Sequence, residues 1–533
     1  MKYALCMRLR AALLFSLVSM TLLQVVACSD NSENVIVDTR ADKFVAALNS
    51  IGYAVNEGSA RLIDPAYYVK QQVIDSAAGN NAGQPYKRLQ IPKYQGMEED
   101  PTEKSMGIFR LQPYEAIVYV GPTPPLGDYF SFTPFLWTRL AGKKISKGDW
   151  IFAALGDPLN NTQIKVEGGG SPFRKNTIVI FTADQGVNDR IVAQAKAAGY
   201  PESMINTYII PSQLLNMGVN DITHNDSFLI LVRVANVYDP QALNDYNNND
   251  RYARVFRVTP DSAPNPLKPY GTPPMANRKA TAEIDLVPPY VDDKGVTKTL
   301  ADSLEDLKKA IIENTSALQR KPFESIRWFA ESRDILVNND PNSPDYHKFV
   351  AGEASDTPYL RTSSGGAATN FTLGTDDMVI VYGVNHAATG LATYSNFSVY
   401  SERILDPTSP FDYIFGFNNP VWCGITGMAS KDSKDPLYGT NHFTDSAYNY
   451  LPRSNPHAKY LYAVRVLRQA PVDPDKKPWI VVPEPTAEGG PASGILLTDP
   501  VTIGYRAYVN PLTGHGAAYE DIIPDRALWF KMK

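Results

Sequence analysis

Two segments of the chain carry apolar residues at helical spacing. In the first, apolar side chains at positions 44, 47, 48 and 51 follow Asp42, a suitable N-cap, and Gly52 closes the segment. In the second, apolar residues recur in steps of four and three from Leu300 to Ile311, with Lys and Glu on the other face, before Pro322. The spacing predicts one short and one longer amphipathic helix.

Other segments read as buried strands. Residues 117–120 are β-branched or aromatic and run into the Gly/Pro turn 121–125, and an aromatic strand is predicted over 129–137. A strand over 177–182, a helix over 187–198 and a strand over 206–210 form a βαβ-like unit. Further strands are predicted over 378–382, 396–400, 460–466 and 501–509.

A proline-rich stretch separates these two sets of elements. Residues 259–290 contain eight prolines, which forbid regular structure through most of the stretch and indicate a long connection or an interdomain strap. The sequence therefore predicts a mixed α/β (α+β) fold with two β-rich halves, joined by the strap and the longer helix.

The two β-rich halves contain similar sequence. Residues 117–119 and 380–382 both read Ile-Val-Tyr, and each is followed by a Gly eight residues after the Tyr and then by a Phe-Ser pair. The strands 228–234 and 460–466 share a Leu and a Val-Arg-Val, which would align Arg233 with Arg465. Internal duplication and chance similarity of strand-rich sequences are both open. If the two halves have the same fold, the crevice between them is the natural place for a ligand site.

The amino terminus has the order of an export signal. Lys2, Arg8 and Arg10 precede an apolar run over 11–23 that is short for a membrane span. The run ends in Val25-Val26-Ala27-Cys28, which resembles the lipobox of bacterial lipoproteins. The resemblance implies cleavage after a signal peptide over 1–27, acylation of Cys28 and attachment to the cell envelope. In enterobacterial lipoproteins, Asp after the acylated cysteine retains the protein at the inner membrane. This chain has Ser29 at that position, which favours the outer membrane as its destination.

These boundaries divide the whole chain. We predict a signal peptide over 1–27, a lipidated tether over 28–38, an N-terminal α/β half over 39–258, the Pro-rich connection and helix over 259–325, and a C-terminal β-rich half over 326–533.

Composition and charge narrow the functional classes. The chain is 44% hydrophobic, 11% aromatic and 20% charged, which excludes a wholly disordered, collagen-like or coiled-coil protein. Its net charge of −5 becomes −8 when the three basic residues of the leader are removed. This balance argues against non-specific nucleic-acid binding. The sequence also lacks the common nucleophile-elbow, zincin, P-loop, dinucleotide-binding and haem-attachment motifs.

Two histidines lie in loops at predicted strand ends. His386 precedes a small-residue segment, and His442 lies in a Gly/Thr/Asp-rich loop before Asp445; His457 is a further candidate. Imidazoles with a carboxylate suit Zn²⁺ or a general acid/base couple. One hypothesis is that His386, His442 and Asp445 form a catalytic metal site. The alternative is that they are loop residues with local hydrogen bonds.

Other candidates concern ligand binding. Arg233 and Arg465 interrupt apolar strands, so each either faces solvent by alternation or projects into a cleft. Tyr129 and Trp137 belong to an aromatic stretch that either stacks on a ligand or packs in the core. The segment 277–279 of the strap is either a lid or a packed connection.

The favoured function is that of an envelope-anchored lipoprotein that binds a small molecule or polymer segment between its two halves. A hydrolase with the His386/His442 site and a structural or assembly lipoprotein are the alternatives. The predicted partners are the membrane, through lipidated Cys28, and an unidentified small molecule or polymer, with no nucleic acid. The sequence identifies no cofactor.

Overall fold

The computed structural model describes residues 38–63, 80–81, 86–94, 107–142, 150–249, 252–338, 340, 342–343, 346, 348–404, 420–430, 443–471, 478–488 and 493–532. The predicted signal peptide, Cys28, the tether up to Val37 and His442 lie outside these residues. Among the helices that are described, none is long and apolar enough to span a membrane.

The first half contributes a ten-stranded sheet. Its strands are β1 (Tyr53–Ile63), β2 (Tyr86–Gln90), β3 (Ala116–Pro122), β4 (Gly127–Thr138), β5 (Trp150–Ala154), β6 (Leu159–Asn160), β7 (Asn176–Thr182), β8 (Ile205–Ile209), β9 (Ser227–Val237) and β10 (Arg254–Pro260). Their order is β5-β4-β9-β2-β1-β10-β3-β7-β8, with β6 on β4. The helices are α1 (Arg40–Ser50), α2 (Gln185–Ala197) and α3 (Pro240–Asn248), with 3₁₀ turns at Glu202–Met204 and Ser212–Leu214.

The strap follows, with α4 (Glu283–Leu286) and the hairpin of β11 (Tyr290–Val291) and β12 (Thr297–Lys298). The second half then contains α5 (Leu300–Glu313), β13 (Ala317–Arg327), α6 (Ser332–Val337), β14 (Tyr359–Ser364), β15 (Ala367–Ala368), β16 (Asp377–Val384), α7 (His386–Thr389), β17 (Tyr394–Ile404), β18 (Pro420–Ala429), β19 (Leu461–Leu467), β20 (Trp479–Val481), β21 (Val501–Tyr508) and β22 (Arg526–Met532). Its 3₁₀ turns are Ser446–Asn449 and Ala458–Tyr460. The second sheet has the order β18-β17-β21-β14-β13-β22-β16-β19-β20, with β15 on β14.

The predicted fold class is confirmed in its coarse form. Two large curled sheets dominate, and a few helices pack on them, so the protein is α+β with much more strand than helix. The strands predicted in both halves are present, and β7, α2 and β8 form the predicted βαβ unit with parallel strands. Asp184 caps α2 by accepting a 2.9 Å hydrogen bond from the Val187 amide.

The two sheets share one topology. When the strands of each sheet are numbered by their order along the chain, leaving aside β6 and β15, the two spatial orders are identical. Both sheets are antiparallel among the described strands except for the final pair at one edge, β7–β8 and β19–β20, which is parallel. A helix precedes the first strand of each half, α1 before β1 and α5 before β13. The helix predicted as a connection therefore opens the second half.

The repetition extends to single residues. In the second sheet, Tyr359 lies opposite Arg506. In the first sheet, Lys87 lies opposite Val232, and the next residues along these two strands are Tyr86 and Arg233. The Arg233 guanidinium lies over the Tyr86 ring. Three residues after each arginine the backbone turns left-handed, with φ 51° at Asn236 and 48° at Val509. This conformation is rare for a β-branched residue, so its recurrence at matching positions supports the alignment of Arg233 with Arg506.

The alignment made from the sequence is wrong in two places. Arg465 lies in β19, the counterpart of β7, so it does not match Arg233 in β9. Tyr119 and Tyr382 lie in equivalent strands but on opposite faces: Tyr119 packs into the core with Ile117 and Phe132, and Tyr382 packs on the side of α5. The two Ile-Val-Tyr segments are therefore out of register by an odd number of residues.

The helices cover the outer faces of the sheets through apolar stripes. Helix α5 buries Leu300, Leu304, Leu307 and Ile311 completely against the second sheet. Full burial of such side chains contributes about 1.5–3 kcal/mol each. The Thr299 hydroxyl accepts from the Asp302 amide, and the Asp302 carboxylate accepts from the Thr299 amide, which forms a capping box. Helix α1 packs similarly on the first sheet, but Asp42 lies inside its first turn rather than at the N-cap.

The halves are joined by an exchange of segments. The Arg233 guanidinium donates to the Gly352 carbonyl at 2.7 Å, and Gly352 belongs to the connection between β13 and β14 of the other half. In the matching contact, Arg506 donates to the carbonyl of Asn80, from the connection between β1 and β2, at 3.4 Å. Each half thus receives the first inter-strand connection of the other, and one core cluster contains residues of both.

Candidate functional site

His386 lies in a buried ion network between the strap and the second sheet. Its Nδ1 is 2.8 Å from Glu283 Oε1 in α4, and its Nε2 is 3.2 Å from Asp525 Oδ2, just before β22. Burial alone would lower the pKa of His386, but the carboxylates of Glu283 and Asp525 raise it to about 10. The imidazole is therefore protonated at neutral pH and donates from both nitrogens.

This arrangement differs from the surroundings expected for His386 as a metal ligand, and its metal role stays a prediction. A metal ligand needs a ring nitrogen with a free lone pair, and both nitrogens of His386 carry protons toward carboxylates. Asp445 is exposed at the start of a 3₁₀ turn, and His457 is buried between the Ser303 hydroxyl and the Pro288 carbonyl. His442 lies outside the described residues. Within the described part of the chain, no cluster of three His, Cys, Asp or Glu side chains has the geometry of a metal site.

Tyr129 and Arg233 do come together, in a buried polar layer where the halves meet. The Tyr129 hydroxyl lies 2.8 Å from Asp356 Oδ2, and Asn160 donates to the other oxygen of Asp356 at 2.9 Å. Arg233 also donates to the Tyr359 hydroxyl at 3.2 Å. The layer is closed to solvent, so these residues join the halves rather than line an open cleft.

Asp356 is the titratable centre of this layer. Burial raises its pKa to about 7, although hydrogen bonds from Asn160 and Tyr129 oppose the rise. The Nδ1 of His515 lies 4.0 Å from the Asp356 carboxylate, and burial lowers the pKa of His515. The junction of the halves therefore contains a carboxyl group that changes charge near neutral pH.

The other two predicted ligand residues lie elsewhere. Trp137 is 1% exposed and packs edge-on against Phe152 with ring centroids 5.4 Å apart, so it belongs to the core, the alternative left open for it. Arg465 is half-buried in β19, opposite Ile380 on one side and Trp479 on the other. The structure thus brings Tyr129 near Arg233 but leaves Trp137 and Arg465 in separate places.

An open cleft lies under the strap and has two adjoining lobes. Each lobe has a cavity volume of about 220 Å³, and Gly156 and Met275 line both. A Cβ added at Gly156 would lie 3.2 Å from the Tyr208 hydroxyl, so a larger side chain at this position would crowd the lining of the first lobe. Together the lobes reach the lower part of the volume range typical of small-molecule sites, about 300–1,000 Å³.

The first lobe is largely apolar. Its lining comes from the β5–β6 connection, from β8 and from the strap, and includes Leu155, Pro158, Leu159, Tyr208, Ile209, Pro273 and Pro274. The polar residues Asp157, Gln163 and Thr207 complete it. Asp157 is already engaged, because its carboxylate accepts from the Ala276 amide at 2.7 Å and from the Ser355 hydroxyl at 2.5 Å.

The second lobe is polar and contains two arginines. Arg278 comes from the strap, and Arg333 comes from α6 in the segment that the second half contributes to the first. Two nitrogens of Arg278 donate to the carbonyls of Gly516 and Ala517. Arg333 is half-buried and, among the described residues, makes no hydrogen bond or ion pair. Its guanidinium is therefore available to an anion.

The acids of the second lobe balance this charge only in part. Glu331 forms a 2.9 Å ion pair with Arg327, a residue that does not line the lobe. Glu353 is buried, and burial raises its pKa, so that its carboxyl group is less readily ionised.

Sequence reasoning missed Arg333, Glu353 and Asp157, because no local motif marks residues that distant segments bring together.

The strap is a packed connection along this cleft. Its backbone is fixed at Lys268, whose amide donates to Asp184 at 2.6 Å, and at Ala280, whose amide donates to Asp521 at 2.9 Å. Arg278, predicted as part of either a lid or a packed connection, faces the second lobe.

No protein-family profile matches this sequence, and no curated protein shows significant similarity to it. Two solved structures are similar over most of their length. One is the VPA0106 protein from Vibrio parahaemolyticus, at 11% identity and TM-score 0.34, covering 94% of this chain and 100% of that one. The other is an uncharacterized protein from Burkholderia cenocepacia, at 11% identity and TM-score 0.31, covering 94% and 92%.

Proposed function

We propose that this chain is an envelope-anchored lipoprotein that binds a small molecule or a polymer segment in the cleft under the strap. The lipobox-like residues ending at Cys28 support the anchor, and the two-lobed cleft supports the binding role. The cleft carries the proposal because three separate parts of the chain build it: the first half, the strap and the second half. Sites between domains are a common place for ligands.

The lining favours a ligand with an apolar body and an anionic group. Pro273, Pro274 and Tyr208 offer apolar surface in the first lobe, and Arg333 offers an available guanidinium in the second. An arginine without a partner binds a carboxylate through charge-assisted, often bidentate, hydrogen bonds. The buried network around His386 favours no hydrolytic role for that residue, because both ring nitrogens face carboxylates.

We also infer that the two halves descend from one duplicated unit. The identical strand order, the shared parallel pair and the matching of Arg233 with Arg506 support this origin. A duplicated pair of sheets leaves a junction, and the cleft lies beside that junction.

The cleft is tested with dansylglycine, a fluorescent aromatic compound that carries a carboxylate. We expect saturable fluorescence enhancement with the wild-type protein and at least about tenfold weaker binding for Gly156→Val, a loss of about 1.4 kcal/mol. Gly271→Val is the matched control, because a Cβ at Gly271 meets nothing within 4 Å. Absence of saturable binding, or equal affinity for the Gly156→Val protein, would contradict the proposal.

A further inference from the structure

Strand β8 is an edge of the first sheet. It pairs in parallel with β7 and, among the described strands, with no other. The outward backbone amide and carbonyl groups of an edge strand are a template for pairing with another extended chain. Proteins usually protect such an edge, so the surroundings of β8 indicate whether this one is covered or used.

The apolar lobe of the cleft runs along this edge. Three consecutive residues of β8, Thr207, Tyr208 and Ile209, all line it. Successive side chains of a strand point to opposite faces of the sheet. Tyr208 packs on the inner face against Phe181, whereas the Thr207 hydroxyl bonds Asn188 of α2 on the outer face. A cavity that touches all three residues therefore borders the edge of the strand rather than one face.

The strap beside the lobe leaves the edge available. Pro273 and Pro274 of the strap also line the lobe, and proline has no backbone N–H to donate. The strap is held instead at Asp157, which accepts from the Ala276 amide. These residues form a wall next to β8 without adding a strand to the sheet.

We propose, on the basis of the binding role proposed above, that the cleft takes an extended peptide that pairs with the edge of β8 and places a carboxylate against Arg333. Strand addition supplies backbone hydrogen bonds, and pockets for the side chains supply specificity. Three paired residues span about 10 Å at roughly 3.3 Å each, so a tetrapeptide covers the three residues of β8 that line the lobe and leaves its free C-terminus beyond them.

Charge favours this occupant and its direction. The available guanidinium of Arg333 and the partly engaged Arg278 lie in the second lobe, and Glu331 is taken up by Arg327. The acid that faces the first lobe, Asp157, has both oxygens occupied. The carboxylate end of a peptide is therefore best accommodated in the second lobe, with the preceding residues along β8.

The test measures fluorescence anisotropy of the tetrapeptide Ala-Val-Thr-Val, labelled with fluorescein at its amino terminus. Two N-methylated versions, one methylated at residue 2 and one at residue 3, remove amide donors from opposite edges of the extended peptide. We expect one version to lose at least about tenfold in affinity and the other to bind like the parent. Amidation of the peptide C-terminus and the substitution Arg333→Gln should each weaken binding at least about tenfold, because each removes a hydrogen bond between charged groups. Arg320→Gln, at an exposed arginine of β13, should leave it unchanged.

Amide hydrogen exchange provides a second measurement on the wild-type protein. Bound peptide should slow exchange in Ile205–Ile209, the edge strand itself. If dansylglycine binds but the peptide does not, or if both N-methylated peptides bind like the parent, the peptide inference is wrong and the cleft proposal stands. If neither probe binds, both proposals fail.

Discussion

The protonated state of His386 predicts how the free energy of unfolding depends on pH. Its pKa is about 10 in the folded protein and 6.5 for an ordinary histidine, because two carboxylates hold the imidazolium. At about 1.36 kcal/mol per pKa unit, this difference is worth about 5 kcal/mol of folding free energy. The contribution is fully present below pH 6.5 and is lost as pH rises through 10. Between pH 7.5 and 9.5 the loss is about 2–3 kcal/mol.

Urea unfolding at half-unit steps of pH measures this loss. The wild-type free energy of unfolding should fall across the window, and the fall should be smaller in the His386→Gln protein by the contribution of His386. Removing the cation leaves Glu283 and Asp525 buried without it, so the variant should also be about 3–5 kcal/mol less stable at pH 7.5. His224→Gln is the control, since that imidazole is 65% exposed.

A wild-type stability that is constant between pH 7.5 and 9.5 would refute the argument, and so would a variant that keeps the full slope. A wild-type profile without a fall would refute the argument even if the variant does not fold. Asp356, whose pKa is about 7, and His515, whose pKa is lowered, act mainly at lower pH. Burial raises the pKa of tyrosines such as Tyr119 and Tyr462, so these residues also lower stability near pH 9.5, equally in the wild-type protein and the variant. The contribution of His386 is therefore the difference between the two slopes.

Three further predictions concern the anchor, the junction and the two halves. Cys28→Ser should abolish incorporation of labelled fatty acid, whereas Cys6→Ser, within the predicted leader, should not; labelling of the Cys28 variant would contradict the anchor. Because Asp356 has a raised pKa, its contribution to stability should decline as pH rises from about 4 to 7, and Asp356→Asn should flatten that decline in urea unfolding. Residues 40–260 expressed alone should show no cooperative thermal unfolding, and co-expression with 261–533 should restore it; an independently folding half would contradict the segment exchange.

The sequence predicted the individual elements well because their signals are local. Helix α5 has an apolar stripe on one face, and α2 has a capping residue at Asp184. The strands were found because β-branched and aromatic runs ended at turns. The proline count correctly placed the strap between the two sheets, although the assignment of separate domains stays a prediction.

The register of the repeat could not be predicted, for a physical reason. Strands β3 and β16 are almost entirely buried on both faces, so apolar residues do not alternate with polar ones along them. Without that alternation, a shift of one residue leaves the hydrophobic pattern unchanged. The Ile-Val-Tyr match therefore aligned Tyr119 with Tyr382 although they point to opposite faces.

The cleft was also beyond local reasoning. Its two arginines come from the strap and from a connection of the second half, and β8 contributes as an edge only because of the strand order. A ligand site between the halves stays a prediction, and the residues singled out for it were the strand arginines and loop histidines rather than those that line the cleft. Of these, Arg233 joins the two halves, and His386 and His457 bond residues of the strap.

The reciprocal exchange of connections has a consequence for biosynthesis. A chain is made from its amino terminus, so the residues of the first half are synthesised before the connection that covers Arg233 and bonds the backbone of β5 through residues 350 and 352. Long-range contacts of this kind slow folding and prolong exposure of incomplete surface. We therefore expect the first half to complete its folding only after the second half has been made, and substitutions in either exchanged connection to impair the folding of the opposite half.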